Sequence, residues 1–290
     1  MSCNKPLYAW VKKGGGITFS KSEGFTDLPM KHIPCGQCMG CRRAKQQQWA
    51  VRIANEIRLH EVSSFITLTY DNDCLPDKKT LVKEHVQVFI RELRRSLYPK
   101  KIRYFAVGEY GDSENARPHY HAIIFGYLPP DARAHKKTDT GIIYVSEELQ
   151  KIWTYGFSYV CQTSFDLAQY CAKYITKRIT GAPAEEHYGE RLPEFALMSR
   201  RPGIGADYYE KYKDEIWTTD DIQVSRGRRF KPPTYYYNKL KEEDEDMYME
   251  IKSERLKHVV QEDDYRKWDK DLYLYKTSEF KQNLYKDNKL

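Results

Sequence analysis

The stretch Arg117-Pro118-His119-Tyr120-His121-Ala122-Ile123-Ile124-Phe125-Gly126 predicts a strand in the middle of the chain. Side chains two positions apart in a strand point to the same side, so His119 and His121 project together. Glu109 ends a preceding predicted strand, and the short link between the two strands favours a hairpin that brings Glu109 alongside. Two imidazoles and a carboxylate suit a divalent metal ion. The alternative is that both histidines are ordinary residues of a half-buried strand.

The hydrophobic pattern outside this stretch predicts a mixed fold. Helices are predicted at 43–60, 81–97, 147–153, 164–181 and 206–216, and strands at 64–70, 102–109, 119–126 and 157–162. Because the order is α, β, α, β, β, α, β, α, we expect an α+β fold, a central antiparallel sheet with helices packed mainly on one face. We divide the chain into a cysteine-rich metal-binding segment (1–42), a main domain (43–237) and a charged C-terminal tail (238–290), helical or disordered.

A second chemical pattern lies in the predicted helix from Ala168 to Ile179. At helical spacing one face is small and apolar and is expected to face the core; it carries Ala168, Cys171, Ala172, Ile175 and Ile179. The opposite face need not be buried; it carries Tyr170, Lys173, Tyr174 and Lys177. Neighbouring lysines stabilise a phenolate and lower the pKa of a tyrosine. Such a phenolate can attack a phosphodiester and retain the 5′ phosphate as an ester. An exposed basic helix face without chemistry is the alternative.

Cysteines form a third pattern near the N-terminus. The chain has seven cysteines, an odd number, and no visible secretory signal, which argues against a disulfide framework. Cys35, Cys38 and Cys41 follow a Cys-x-x-Cys-x-x-Cys spacing, and Cys3 is a candidate fourth ligand of a structural Zn²⁺ site. An iron–sulfur cluster or a set of free thiols are the alternatives.

The charge distribution indicates a polyanionic partner. The net charge is +7, and residues 239–290 contain 12 basic and 14 acidic residues, so the remaining 36 basic and 27 acidic residues give residues 1–238 a net charge of +9. Nucleic acid is the simplest partner for such a surface, although many basic proteins bind none. No stretch approaches the roughly 18 apolar residues of a membrane span, so we expect no membrane association.

Together these motifs resemble the HUH endonuclease superfamily, and most closely the rolling-circle replication initiator proteins of microviruses, in particular the gokushovirus type. The resemblance covers about residues 1–237 and leaves the tail outside it. The motifs that carry it, in the order of the family, are 65–70 (first strand), 108–111 with 117–126 (metal motif) and 170–177 (two-tyrosine motif), to which 34–42 and 199–205 add further similarity.

The resemblance implies an enzyme that nicks one strand at an origin, starts rolling-circle replication and rejoins the circular product. It implies that His119, His121 and Glu109 bind Mg²⁺ or Mn²⁺, with Glu109 the least secure because the spacing before the histidine pair varies. Tyr170 and Tyr174 would be alternating nucleophiles. The role of stabilising the phosphate or the phenolate would fall to Lys173 or Lys177.

Partners and alternatives follow from the same interpretation. The chain contains no Gly-x-x-x-x-Gly-Lys-Ser/Thr loop, so we expect it to use a host helicase and polymerase on single-stranded and origin DNA, in the cytoplasm of a bacterial host cell. A related plasmid initiator or relaxase of the same superfamily is one alternative. A zinc-dependent DNA-binding regulator without catalysis is the other.

Overall fold

The computed structural model describes residues 3–12, 15–26, 30–111, 117–138, 141–179, 183–225 and 227–260. Within them lies a seven-stranded sheet whose hydrogen-bonded neighbours are all antiparallel, which confirms the predicted α+β class with an antiparallel sheet. Its strands are β4 (Ser63–Tyr70), β5 (Arg103–Tyr110), β6 (Pro118–Phe125), β7 (Arg133–Thr138), β8 (Gly141–Val145), β9 (Gly156–Gln162) and β10 (Phe195–Met198). They are arranged in the order β10-β5-β6-β4-β9-β8-β7.

Helices pack on both faces of this sheet, so the expectation that they lie mainly on one face is wrong. The bounds are α1 (Met39–Arg58), α2 (Lys83–Ser96), α3 (Glu147–Ile152), α4 (Phe165–Lys177) and α5 (Pro183–Tyr188). On one face, α2 and α3 pack against Tyr120, Ala122 and Ile124 of β6. On the other, α1 and α4 pack against Ile123 and Phe125. Strand β6 is apolar on both sides, and such a strand requires cover on both faces.

Local signals set several of these boundaries. The Ser146 and Ser164 side chains accept hydrogen bonds from the backbone N–H of Leu149 and Leu167, so both serines cap helices as predicted. Helix α4 ends at Lys177 rather than at Gly181, and Gly181 lies outside the described residues.

A third apolar cluster lies on the outer side of α1, where further helices pack. The elements are α6 (Ala206–Thr219), β11 (Ile222–Ser225), β12 (Arg228–Phe230), α7 (Thr234–Glu243) and α8 (Glu245–Val260). Tyr209 of α6 and Tyr236 of α7 are fully buried there against Val51 and Ala54 of α1. The first part of the predicted tail is therefore helical, and residues 261–290 lie outside the described part of the chain.

Short strands form a separate three-stranded sheet before α1. They are β1 (Leu7–Val11), β2 (Ile17–Thr18) and β3 (Lys31–Ile33), in the order β2-β1-β3. The sequence did not indicate these strands, nor β7, β8 and β10 to β12, because short or exposed strands lack the alternation on which such predictions depend. None of the described helices is both long and apolar enough to cross a membrane.

Candidate metal centre and tyrosine cluster

The register of the central strands aligns the Glu-His cluster, which we define as Glu109, His119 and His121. Glu109 of β5 lies directly opposite His119 of β6, as the predicted hairpin requires. The histidines point to the α1/α4 face, because Tyr120 between them points into the core on the α2/α3 side. The expected convergence of these three side chains is thus found in the structure.

Hydrogen bonds hold the cluster together. The Oε1 atom of Glu109 lies 2.8 Å from Nε2 of His119 and 3.0 Å from Nε2 of His121. Its Oε2 atom accepts a hydrogen bond of 3.0 Å from the Nζ of Lys177 at the end of α4. Glu109 and His121 are buried. A buried carboxylate with three polar partners is stable in its charged form.

Electrostatics within the cluster separate the two histidines. Burial alone would raise the pKa of Glu109, but the hydrogen bonds from both histidines lower it well below its ordinary value. Burial likewise opposes the charged form of His119, but the bond to Glu109 raises its pKa. Burial prevails at His121 and lowers its pKa, so this imidazole is neutral at neutral pH. A neutral imidazole beside a carboxylate is the protonation state that a metal site needs.

The donor atoms of the Glu-His cluster fit a divalent ion. One carboxylate oxygen and one nitrogen from each imidazole lie within 4.8 Å of one another. The remaining ring nitrogens have their own partners: Nδ1 of His121 is 3.0 Å from the Thr67 hydroxyl, and Nδ1 of His119 is 3.2 Å from the carbonyl of Arg117. Such outer contacts orient metal-binding imidazoles, and they leave both Nε2 atoms facing a common centre.

The tyrosines of α4 lie directly against this cluster. The ring of Tyr174 stacks on His121 with centroids 5.3 Å apart, and the ring of Tyr170 meets His121 edge-on at 5.4 Å. The two phenol rings are 4.8 Å apart and perpendicular. The sequence-predicted tyrosine pair and the Glu-His cluster therefore share one site.

The two tyrosines differ in exposure, which the sequence did not indicate. Tyr170 exposes 41% of its surface, whereas Tyr174 exposes 4% and belongs to the apolar cluster between the sheet and α4. The expected lowering of their pKa values is also wrong for the protein without a bound ion. Burial is the main cause that raises the pKa of both phenols, and the charge of Glu109 adds to it.

The two lysines of the predicted face separate as well. The Nζ atom of Lys177 contacts Glu109 and lies 4.8 Å from the ring centroid of Tyr174. Lys173 is partly buried on α4, and among the described contacts none joins its ammonium group to the Glu-His cluster. Of these two lysines, Lys177 is thus the one placed beside both the carboxylate and a phenol.

Thr67 and Phe65 of β4 also belong to the site, and the sequence argument assigned them no role. Thr67 lies opposite His121 in the sheet and contacts its Nδ1, and Phe65 stacks on the other side of the same ring with centroids 5.3 Å apart. Counting in twos along the predicted strand 64–70 would have placed both on one face. Their partner strand could not be read from the sequence.

The cysteine cluster comprises Cys3, Cys35, Cys38 and Cys41, whose sulfur atoms lie within 4.8 Å of one another. The N–H groups of Cys35 and Cys38 donate to the sulfur atoms of Cys3 and Cys35, each at 3.3 Å. The N–H of Asn4 donates to the sulfur of Cys38 at 3.4 Å. Backbone donors aimed at sulfur stabilise thiolates, so the donor set suits a thiophilic metal ion. The predicted fourth ligand, Cys3, is correctly placed for this.

Burial and hydrogen bonding divide the thiols of the cysteine cluster. Burial alone would raise the pKa of Cys38, but backbone N–H groups outweigh it and lower the pKa to about 6. Backbone hydrogen bonds also lower the pKa of Cys35. Burial raises the pKa of Cys41 to about 12. In the absence of an ion the cluster therefore has both thiolate and thiol character.

Comparisons with known proteins agree with these motifs. The protein family described as replication-associated protein ORF2 matches residues 63–179, a span that contains the Glu-His cluster and both tyrosines of α4. The replication-associated protein VP4 of Bdellovibrio phage phiMH2K is 28% identical over 258 residues, which cover 86% of this chain and 80% of that protein. No solved structure matches the chain significantly.

Two further phage proteins are similar over most of the chain. The replication-associated protein ORF4 of Chlamydia phage 1 is 32% identical over 218 residues, which cover 72% of this chain and 53% of that protein. The replication-associated protein ORF2 of Spiroplasma virus 4 is 29% identical over 283 residues, covering 90% and 87%. The chain is therefore a homologue of the replication-associated proteins of microvirus-type phages, which confirms the resemblance that its motifs indicated.

Proposed function

We propose that this chain is a replication initiator that nicks one DNA strand at an origin through a 5′-phosphotyrosine intermediate and later rejoins the circular product. The observation that carries the proposal is the contact of Tyr170 and Tyr174 with His121 of the Glu-His cluster. A phosphodiester that binds at the cluster lies within reach of either phenol. In-line attack requires such proximity between nucleophile and reacting phosphorus.

The chemical step uses one tyrosine at a time. The hydroxyl of Tyr170 or Tyr174 loses its proton to solvent, and its oxygen forms a bond to the phosphorus of the scissile linkage. The bond from phosphorus to the 3′ oxygen breaks, and that oxygen takes up a proton to become a free 3′ hydroxyl. The 5′ phosphate stays on the tyrosine as a phosphodiester. Rejoining is the reverse attack by a 3′ hydroxyl on this ester.

The residues around the tyrosines have distinct parts in this proposal. Glu109, His119 and His121 hold Mg²⁺ or Mn²⁺, which when bound supplies a Lewis acid for the phosphate oxygens. Lys177 neutralises charge on the phosphate or the phenolate, since its ammonium lies beside both Glu109 and Tyr174. Thr67 and the carbonyl of Arg117 fix the two imidazoles. Lys173 has a weaker claim to the role predicted for it.

Tyr170 is proposed to cut first, because it is the exposed member of the pair. Tyr174 is buried under α4 and against His121, so it needs a local rearrangement before it can reach a second phosphate. Two nucleophiles with different access suit two successive transfers within one replication cycle. Burial raises the pKa of both, so a bound cation is needed to favour the phenolates at neutral pH.

The cysteine cluster is proposed to hold a structural Zn²⁺ that ties the segment 1–42 to α1. Four sulfur ligands close the coordination sphere of zinc and leave no position for substrate. We further propose that the domain 43–237 carries the HUH endonuclease site, that the tail 238–290 is separate from it, and that the protein acts on single-stranded origin DNA in the cytoplasm of a bacterial host with a host helicase and polymerase.

A covalent adduct tests the proposal directly. Single-stranded oligonucleotides that tile the genome encoding this chain are incubated with the protein and Mn²⁺, and denaturing electrophoresis detects any protein–DNA ester. We expect one oligonucleotide to give an adduct, and peptide mass spectrometry to place the nucleotide on Tyr170 or Tyr174. The Tyr170→Phe/Tyr174→Phe double variant should form none, while Tyr144→Phe on the opposite face of the sheet should behave as the wild type.

Two outcomes would contradict the proposal. If the double variant still forms the adduct, the nucleophile is another residue. If no oligonucleotide gives an adduct with Mn²⁺ but the protein binds DNA equally well in EDTA, the non-catalytic DNA-binding regulator is the better description. A relaxase or plasmid initiator of the same chemistry would cut a sequence outside the phage origin.

A further inference from the structure

The sheet face that carries the Glu-His cluster continues sideways beyond it. Two rows of directly opposed residues run from β6 across β4 to β9. In the first row His119 lies opposite Thr69, and Thr69 lies opposite Phe157. The second row runs beside it through His121, Thr67 and Tyr159. Opposed residues of antiparallel strands point to the same side, so Phe157 and Tyr159 face the same way as the histidines, about 10 Å away.

The aromatic side chains at the end of these rows are accessible. Helices α1 and α4 pack over β10, β5, β6 and part of β4. Phe157 exposes 54% of its surface, and Tyr159 is only partly buried. Such a ring beside a proposed DNA-cutting site is an unusual use of a large apolar side chain, because solvent exposure of it costs free energy.

The next strands outward add positive charge. Hairpin β7–β8 carries Arg133, His135, Lys136 and Lys137, and its described residues (133–138 and 141–145) include no carboxylate. The ring of His135 lies 5.9 Å from that of Tyr159. Lys136 is exposed and lies opposite Ile143. Ile143 points to the face of the Glu-His cluster, because its neighbour Tyr144 packs into the core on the α2/α3 side.

We propose that Phe157, Tyr159, His135 and Lys136 form a binding strip for single-stranded DNA, along which the strand runs on one side of the scissile phosphate. Unpaired bases stack on the exposed rings, and phosphates contact the basic hairpin. Charge and continuity with the Glu-His cluster both favour this occupant. The inference rests on the proposed function for the direction of the strand, but the strip itself needs only that the chain binds single-stranded DNA.

Fluorescence anisotropy with a labelled thymidine homopolymer in EDTA measures this binding without any cutting. Phe157→Ala should raise the Kd about tenfold, which is about 1.4 kcal/mol. Phe157→Trp should retain wild-type affinity because it keeps a stacking ring. Ile142→Ala is the matched control: Ile142 is also exposed and apolar, but it lies on the opposite face of the hairpin, so its removal should leave the Kd unchanged.

Adjacent lysines give a second matched pair. Lys136 faces the proposed strip, and Lys137, opposite Ile142, points to the other face of the same strand. Lys136→Ala should weaken binding and reduce the salt dependence, the slope of log K against log salt, by about 0.7. Lys137→Ala should change neither. Equal effects of the two variants, or wild-type binding by Phe157→Ala with an unchanged melting temperature, would overturn the strip.

The failure of the strip can be told from the failure of the nickase. If the wild type forms the covalent adduct and Phe157→Ala binds DNA normally, the strip alone is wrong. If no adduct forms but Phe157→Ala and Lys136→Ala both lose affinity for DNA, the strip is right and the cutting chemistry is wrong. The Tyr170→Phe/Tyr174→Phe variant should bind the homopolymer with nearly wild-type affinity in either case.

Discussion

The Glu-His cluster and the cysteine cluster are both sets of converging donors, but they are held in place differently. The Glu-His cluster lies on adjacent strands in the middle of the largest sheet, and the hydrogen-bonded ladder fixes Glu109 opposite His119. The cysteine cluster draws Cys3 from the segment before β1, Cys35 and Cys38 from the segment before α1, and Cys41 from the first turn of α1. Only the first cluster has its geometry enforced by the backbone.

This difference teaches what each ion would do. Donors that a sheet already holds together can gain or lose an ion with little change in fold, which suits a catalytic site. Donors that come together from short loops need the ion to stay together, so metal binding there contributes to folding. We therefore expect substitutions in the Glu-His cluster to abolish chemistry and spare the fold, and substitutions in the cysteine cluster to do the opposite.

Glu109→Gln should have the largest effect on cutting. The substitution keeps the shape of the side chain but removes the only carboxylate of the Glu-His cluster, and with it several kcal/mol of transition-state stabilisation. We expect the single-turnover rate of adduct formation with Mn²⁺ to fall about a thousandfold. Thermal unfolding and far-UV circular dichroism should remain close to the wild type. A folded variant that still cuts at a normal rate would remove the cluster from the mechanism.

Lys177→Ala should have the next largest effect, and Lys173→Ala provides its control on the same helix. Lys177 donates to Glu109 and lies over the ring of Tyr174. Hydrogen bonds to charged groups contribute about 1.5–3 kcal/mol, so the rate of adduct formation should fall about tenfold to a hundredfold. Lys173→Ala should cut as fast as the wild type. Equal losses for both lysines would indicate a general effect of helix charge rather than a specific contact.

Thr67→Val should act more weakly, through His121. Valine has nearly the same shape as threonine but cannot accept the hydrogen bond that fixes Nδ1 of His121. Loss of such an outer contact typically lowers metal affinity about 10–100-fold. The Mn²⁺ concentration for half-maximal adduct formation should rise, while the rate at saturating Mn²⁺ should change little. A lower rate at saturating metal with unchanged affinity would place Thr67 in the chemical step instead.

The candidate site could be predicted from the sequence where its geometry depends on local periodicity. Period two along β6 aligned His119 with His121, and period 3.6 along α4 aligned Tyr170 with Tyr174. The burial of Tyr174 could not be predicted, because helical periodicity separates the faces of α4 but does not show that the tyrosine face also packs against the sheet. Helices on both faces were missed for the same reason: which elements neighbour each other is decided by tertiary packing.

Cys38→Ser should reduce cutting only slightly, while it loosens the region before α1. Helix α1 remains anchored to α4 through Ala50 and Ile53, which are buried between the sheet and α4. We expect hydrogen exchange in the three-stranded sheet (residues 7–33) to increase strongly, metal analysis to show loss of one zinc per chain, and adduct formation to fall less than about tenfold. A loss of cutting as large as that of Glu109→Gln would contradict the separation of the two clusters.

Thiol alkylation should show the smallest and most local difference between the clusters. In protein stripped of metal, backbone N–H groups lower the pKa of Cys38 to about 6, so the fraction of reactive thiolate should rise through pH 6 and be nearly complete at neutral pH. Cys171 in α4 is buried, which raises its pKa, so it should stay unmodified over the same range. Mass spectrometry of iodoacetamide-treated protein measures both. Added Zn²⁺ should protect Cys38, because a thiolate that coordinates zinc is a weaker nucleophile; unchanged alkylation with Zn²⁺ would mean that the four sulfur atoms do not bind the ion.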